Sequence, residues 1–193
     1  NVRGTLHLNA ASADVNTTRT AGSLAVDVGS GDASVRDAEG DLTIDTGSGE
    51  VDVTGARGDV VMIDTGSGRV TVASVTARDL NIDTGSGDVD VTGATAQRVR
   101  LDTGSGSVSC ELTSNPEQVD VDTGSGRVTL TLPATYGATV DIDAGGGGID
   151  MEFAVETRRF SRDHVVGTIG DGKGVLRVDT GSGGVRIRKA ATR

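Results

Sequence analysis

Asp-Thr-Gly-Ser-Gly begins at Asp45, Asp64, Asp83, Asp102, Asp122 and Asp179, and worn copies begin at Asp27 (Asp-Val-Gly-Ser-Gly) and Asp143 (Asp-Ala-Gly-Gly-Gly). The steps between starts are 18, 19, 19, 19, 20, 21 and 36 residues, the last being about two periods. A period in this range belongs to repeat architectures, in which a unit too small to bury its own apolar face stacks on copies of itself.

Aligned on the aspartate, the copies show two apolar columns before it: Leu42/Ile44, Val61/Ile63, Leu80/Ile82, Val99/Leu101, Val119/Val121, Val140/Ile142 and Leu176/Val178. Two more follow the glycines: Val51/Val53, Val70/Val72, Val89/Val91, Val108/Cys110, Val128/Leu130, Ile149/Met151 and Val185/Ile187. One residue, usually polar, separates the members of each pair, so both halves of the unit have the period of two of a strand with one buried face. Gly-Ser-Gly reverses the chain between the halves. A hairpin meander would set unlike halves side by side, whereas a coil sets each half on the same half of the next unit. The strict 19-residue period fits the coil. The expected fold is all-β: a single-stranded parallel β-helix (β-solenoid) of about eight turns of ~19 residues, two strands per turn, rising ~4.8 Å per turn.

One solenoid domain over 1–193 is expected, with 1–21 an N-terminal cap or irregular turn, 22–151 the regular turns, 152–174 an irregular excursion or cap, and 175–193 the final turn. The aromatics, Tyr136, Phe153 and Phe160, gather near the break in the pattern, where a solenoid needs its exposed core covered. Cys110 is the single cysteine and takes an inward position, so it reads as a small core residue with no disulfide or thiolate metal site. No apolar run approaches the ~18 residues of a membrane helix. The net charge of −10 argues against nucleic acid and anionic membrane surfaces as partners. It divides unevenly, −14 over residues 1–150 and +4 over 151–193, which suggests head-to-tail self-association. A first residue Asn1 without a leader suits a processed exported protein or a trimmed chain.

Asp-Thr-Gly-Ser is also the motif of aspartic peptidases, whose chemistry needs two carboxylates face to face sharing a proton. Here the copies recur at the pitch of a coil, so Asp27, Asp45, Asp64, Asp83, Asp102, Asp122, Asp143 and Asp179 stack in one column and form no dyad. No enzymatic activity and no cofactor are expected. Carboxylates ~4.8 Å apart repel by about 0.9 kcal/mol even at the dielectric of water, so the column needs relief. The first account is local capping, each carboxylate accepting N–H bonds from its own Gly-Ser-Gly turn. The second is bridging by Ca²⁺, which takes oxygen ligands.

With Ile-Asp-Thr-Gly-Ser-Gly-x-Val-x-Val, the Leu132-Pro133-Ala134 turn and the ending Gly167-Thr-Ile-Gly-Asp-Gly172 … Val178-Asp-Thr-Gly-Ser-Gly-Gly-Val-Arg-Ile187, the chain resembles the bacterial adhesin β-strand-repeat domain family. The resemblance implies a β-helix, an extracellular or cell-surface location and no established enzyme activity. The functional expectation is a non-enzymatic structural or surface protein that assembles end to end into a filament. The alternative is an adhesin-like module whose flat sheet face meets a glycan or another surface ligand.

Overall fold

The computed structural model describes residues 4–191, and among them no helix occurs. The first fourteen strands are β1 (Leu6–Ser12), β2 (Val15–Ala21), β3 (Leu24–Ser30), β4 (Ala33–Glu39), β5 (Leu42–Thr46), β6 (Val51–Thr54), β7 (Val60–Ser67), β8 (Val70–Ala73), β9 (Asp79–Ser86), β10 (Val89–Ala94), β11 (Arg98–Ser105), β12 (Val108–Leu112), β13 (Gln118–Thr123) and β14 (Val128–Leu132). Odd strands pair in parallel in one sheet and even strands in a second, giving seven coils in chain order from β1/β2 to β13/β14. Like meets like throughout: Ile44 pairs with Ile63, Asp45 with Asp64, and Val51 with Val70. The fold is a parallel β-solenoid. Residues 4–21, expected as a cap or irregular turn, form a full first coil, with Leu6 on Leu24 and Val15 on Ala33.

The inward Val, Ile and Leu of both sheets make one continuous core, each buried side chain contributing about 1.5–3 kcal/mol. A narrow third side links successive early coils through single parallel bridges, Glu39 with Arg57, Arg57 with Thr76 and Thr76 with Thr95, and the small Ala38, Ala56, Val75 and Ala94 nearby are buried. Cys110 lies in this core, and burial pushes its thiol up to about 12.

The Gly-Ser-Gly corners stack backbone on backbone. Gly68 N donates to Ser86 O at 2.9 Å and Gly87 N to Ser105 O at 2.9 Å, and the same bond recurs along the stack. A methyl on Gly85 would stand 2.7 Å from Gly66 O, and one on Gly87 would overlap Gly68 O outright. Gly87 also holds φ +148°. Both glycines are thus required by the neighbouring coil as well as by the turn.

The remaining strands depart from chain order. They are β15 (Ala138–Asp143), β16 (Ile149–Met151), β17 (Val155–Phe160), β18 (His164–Ile169), β19 (Gly174–Thr180) and β20 (Val185–Lys189). The final coil, β19/β20, was expected at the end of the rod; it is inserted between β13/β14 and β15/β16. Pro133–Gly137 carries the chain past a vacant level, with Tyr136 buried in the passage, and β19 returns to fill it. Gly174 threads the gap: its N donates to Gly137 O at 2.9 Å, and a Cβ there would sit 3.0 Å from Pro116 O. Beyond β15, the hairpin β17–β18 pairs antiparallel and closes the first sheet. Phe153 is buried at this end with Lys189 Nζ 5.2 Å from its ring centre. Phe160, expected in the cap, is 75 % exposed, because β17 is the outermost strand and only its first residue, Val155, packs against the core.

In urea unfolding, Gly87→Ala should cost about 3 kcal/mol, since a backbone carbonyl blocks the new methyl. Gly93→Ala, also at positive φ (66°) but with open space around the site, should cost only about 1 kcal/mol.

Candidate functional site

Strand alternation puts two rows of side chains on the outer face of the first sheet. The row at the motif aspartate runs Asn9, Asp27, Asp45, Asp64, Asp83, Asp102, Asp122, Asp179 and Asp143, each paired in register with the next, and ends on His164 across the antiparallel step. All eight expected carboxylates therefore lie in one column, with Asp179 between Asp122 and Asp143 because of the inserted coil. The second row, two residues earlier, includes Met62, Asn81, Arg100, Asp120, Arg177 and Asp141.

The column does not cap its turns as expected. Among the described residues only Asp143 accepts a bond from its own turn, from Gly145 N at 2.9 Å. Backbone capping falls to carboxylates elsewhere in the coil. Asp32 accepts from Glu50 N at 2.8 Å, Asp88 from Ser107 N at 2.9 Å, and Asp41 from Asp59 N at 3.1 Å and Val60 N at 3.0 Å. The corner itself is tied by the motif threonine, which faces the core and is buried. Thr103 Oγ1 donates to Gly87 O at 3.1 Å, Thr123 Oγ1 to Gly106 O at 3.0 Å, and Thr180 Oγ1 to Gly126 O at 3.1 Å, each bond joining adjacent coils. Strand parity carried this signal in the sequence: the residue after an outward aspartate must point inward.

Relief of charge on the column is sparse. Arg100 reaches Asp102 at 3.6 Å; among the described residues no other column carboxylate has an ion pair. The carboxyls of Asp83 and Asp122 lie above their ordinary value, first through partial desolvation and then through the like charges above and below, Asp102 and Asp64 for the one, Asp102 and Asp179 for the other. Off the column, Asp79 is clamped by Arg98 and Arg78, and the hydrogen bond from Arg98 holds its carboxyl down to about 2.

Between the two rows lie adjoining depressions that share Arg100. One, of about 300 Å³, is lined by Met62, Asp64, Asn81 and Asp83. The other, of about 340 Å³, is lined by Asp102, Asp120, Asp122, Asp141, Asp143, Asp179, His164 and Arg177. Along its second row the charge alternates from Arg100 to Asp120, Arg177 and Asp141, and His164 Nε2 lies 3.2 Å from Asp141 Oδ1. Only the inserted coil brings Arg177 between Asp120 and Asp141. Among the described residues, no three His, Cys, Asp or Glu side chains converge as metal ligands. No helix among them is long and apolar enough to cross a membrane.

These features define a repeat protein: a parallel β-solenoid whose outer rows repeat at the pitch of the coil. The chain belongs to the Toastrack DUF4097 family, whose model matches residues 14–188, a repeat β-domain family of unknown function. No curated protein and no solved structure matches it.

The two aspartate classes should respond oppositely to pH. Asp83, raised in the folded state, contributes stability at low pH that is lost as pH rises through its folded value. Asp83→Asn should therefore raise stability at pH 7 by a few tenths of a kcal/mol after solvent screening, and by nothing near pH 3. Asp79, depressed in the folded state, contributes stability above the ordinary carboxylate range that is lost toward pH 2. Asp79→Asn should lower the melting temperature at pH 7, with the difference vanishing as pH falls to about 2. Thermal melts across pH 2–7 check both.

Proposed function

We propose that this chain is a non-enzymatic structural or surface module, exported from the cell, that joins to other molecules through the end of its solenoid. The observation that supports the reading is the regular stack, in which like residues align from coil to coil around one continuous core. Such an extended, aligned core is an arrangement suited to a building unit. Light scattering should return a mass that is a multiple of the 19.4 kDa chain, and negative-stain microscopy should show elongated particles. A strict monomer at high concentration and low salt overturns the reading.

The trough between Arg100 and His164 favours a second reading, an adhesin-like face that binds a polyhydroxylated or cationic ligand. Six carboxylates, two guanidiniums and an imidazole line it, a mixed donor and acceptor set suited to hydroxyl groups. A glycan array probed with the wild type and with Arg177→Ala tests this: binding that is lost in the variant supports it, and an empty array removes it.

A further inference from the structure

The two connections that build the inserted coil cross. Toward this end of the first sheet the strand order is β13, β19, β15, β18, β17. Residues 133–137 lead from β14 into the start of β15, past the level that β19 occupies. Residues 170–173 lead back from the end of β18 to the start of β19, past the level of β15. Because β18 runs antiparallel to β15, both connections lie at one edge of the sheet, where Ala138 has Ile169 on one side and Gly174 on the other. They meet at Gly137. A Cβ there would stand 2.7 Å from Asp171 N, and one on Gly170 would stand 3.2 Å from Gly137 Cα. Connections at one edge of a sheet do not ordinarily cross. Here they do so backbone on backbone, and only four residues carry the chain around the start of β15.

Nothing in the fit of the delivered coil is particular to its own chain. Strand β19 pairs like on like with both neighbours, Leu176 between Val119 and Val140, and Asp179 between Asp122 and Asp143. Strand β20 sits in the same way between β14 and β16. A second copy carries the same coil in the same register, and that coil can enter the level without passing over the β15 it joins. The hinge is a single short turn, with Gly170 and Gly172 at φ +54° and +68° and an exposed ion pair, Lys173 Nζ to Asp171 Oδ2, at 2.8 Å. Short, constrained hinges invite the exchange of an element between copies, which forms a dimer by reusing contacts the monomer already has.

We propose that β19/β20 is an exchangeable coil. Two copies trade residues 174–189, and each coil fills the level between β13/β14 and β15/β16 of the other. The trough on each copy is then completed by the partner's Arg177. Exchange needs no contact between solenoid ends, and so goes beyond the assembly reading above.

Refolding of the 1–193 chain from guanidinium, followed by sedimentation velocity, tests this. Micromolar refolding should return monomer, because the chain's own coil is tethered at an effective concentration that no partner reaches. Near-millimolar refolding should return a dimer that persists on dilution, since its release requires drawing out an interior coil. Inserting Gly-Ser-Gly-Ser between Asp171 and Gly172 gives the connection room to pass Gly137 and should cut the dimer yield at least tenfold. Thr139→Cys combined with Val175→Cys, neighbours across β15 and β19, reports which chain supplies the coil. After oxidation, a denaturing gel without reductant should show a covalent dimer from the concentrated refolding and a monomer from the dilute one. If the pair does not oxidise, the insertion variant decides alone. Three results each overturn the exchange: no dimer after concentrated refolding, dimers whose cysteines close within each chain, or a yield that the insertion leaves unchanged. Closure within each chain leaves the assembly reading standing. A native chain that stays monomeric when concentrated without refolding counts against the end contact alone.

Discussion

Everything in this molecule depends on the contact between successive Gly-Ser-Gly corners. At that corner the backbones of adjacent coils touch without side chains between them: Gly85 lies over Gly66 O and Gly87 over Gly68 O. A hydrogen bond from each second glycine to the next serine carbonyl fixes the rise of the coil. With the rise fixed there, the Val and Ile columns on either side are forced into register, and the core follows. A residue with a Cβ would wedge the corner open and lengthen the step at one side only, tilting every coil beyond it. The motif therefore repeats with little variation because each copy is a contact surface for two others, and not because the turn alone demands it.

This explains where the motif is worn. The first coil has Asn9 at the aspartate position and Ala11–Asp14 in place of the glycine corner, and β15/β16 reads Asp-Ala-Gly-Gly-Gly. The first lies at the margin of the described stack, and the second meets the antiparallel hairpin β17–β18 in place of another coil, so neither corner has a like corner on both sides among the described residues. The copy at Asp179 is last in sequence yet complete, and it is interior, held between Asp122 and Asp143. The interior copy at Asp27 keeps its Gly-Ser-Gly corner and changes only the threonine, to Val28, so it is fidelity of the glycine corner that reports spatial position.

That signal was available in the sequence and points to what was legible. The period, the inward columns and the parallel register follow from alternation and repetition, which are local properties. The order of the last two coils is not local. It rests on Pro133–Gly137 skipping a level and on Gly174 passing between Pro116 O and Gly137 O, and neither leaves a periodic trace. The 36-residue step to Asp179 fits an added end coil and an inserted one equally well. The role of the aspartates is hidden for a related reason: the most repeated acid is not the capping one, and the capping carboxylates, Asp32, Asp41 and Asp88, lie at less regular positions beside the turns. Clustering in sequence also failed for Phe160, since proximity to a pattern break does not place a ring under a second layer.

The inserted coil changes how the stack must form. In the first seven coils each unit pairs with one about 19 residues away, so the stack can grow by short loop closures. Strand β19 pairs with β13 across some 57 residues, as Gln118 with Val175, and with β15 on its other side. Until it arrives, β13/β14 and β15/β16 each present an open parallel edge to the other, and only a strand pair of matching register fills the space. Thr180 then closes the corner by donating to Gly126 O, 54 residues away, the same bond that Thr123 makes to Gly106 O within the regular stack. A solenoid built purely from neighbours can fray from either end, one coil at a time. Here the end cannot fray without drawing out the coil beneath it, because β15/β16, the hairpin β17–β18 and β19/β20 are one continuous stretch of chain interlocked with itself. The C-terminal end is thereby coupled into a single cooperative unit, whereas the N-terminal coils are stacked in simple succession.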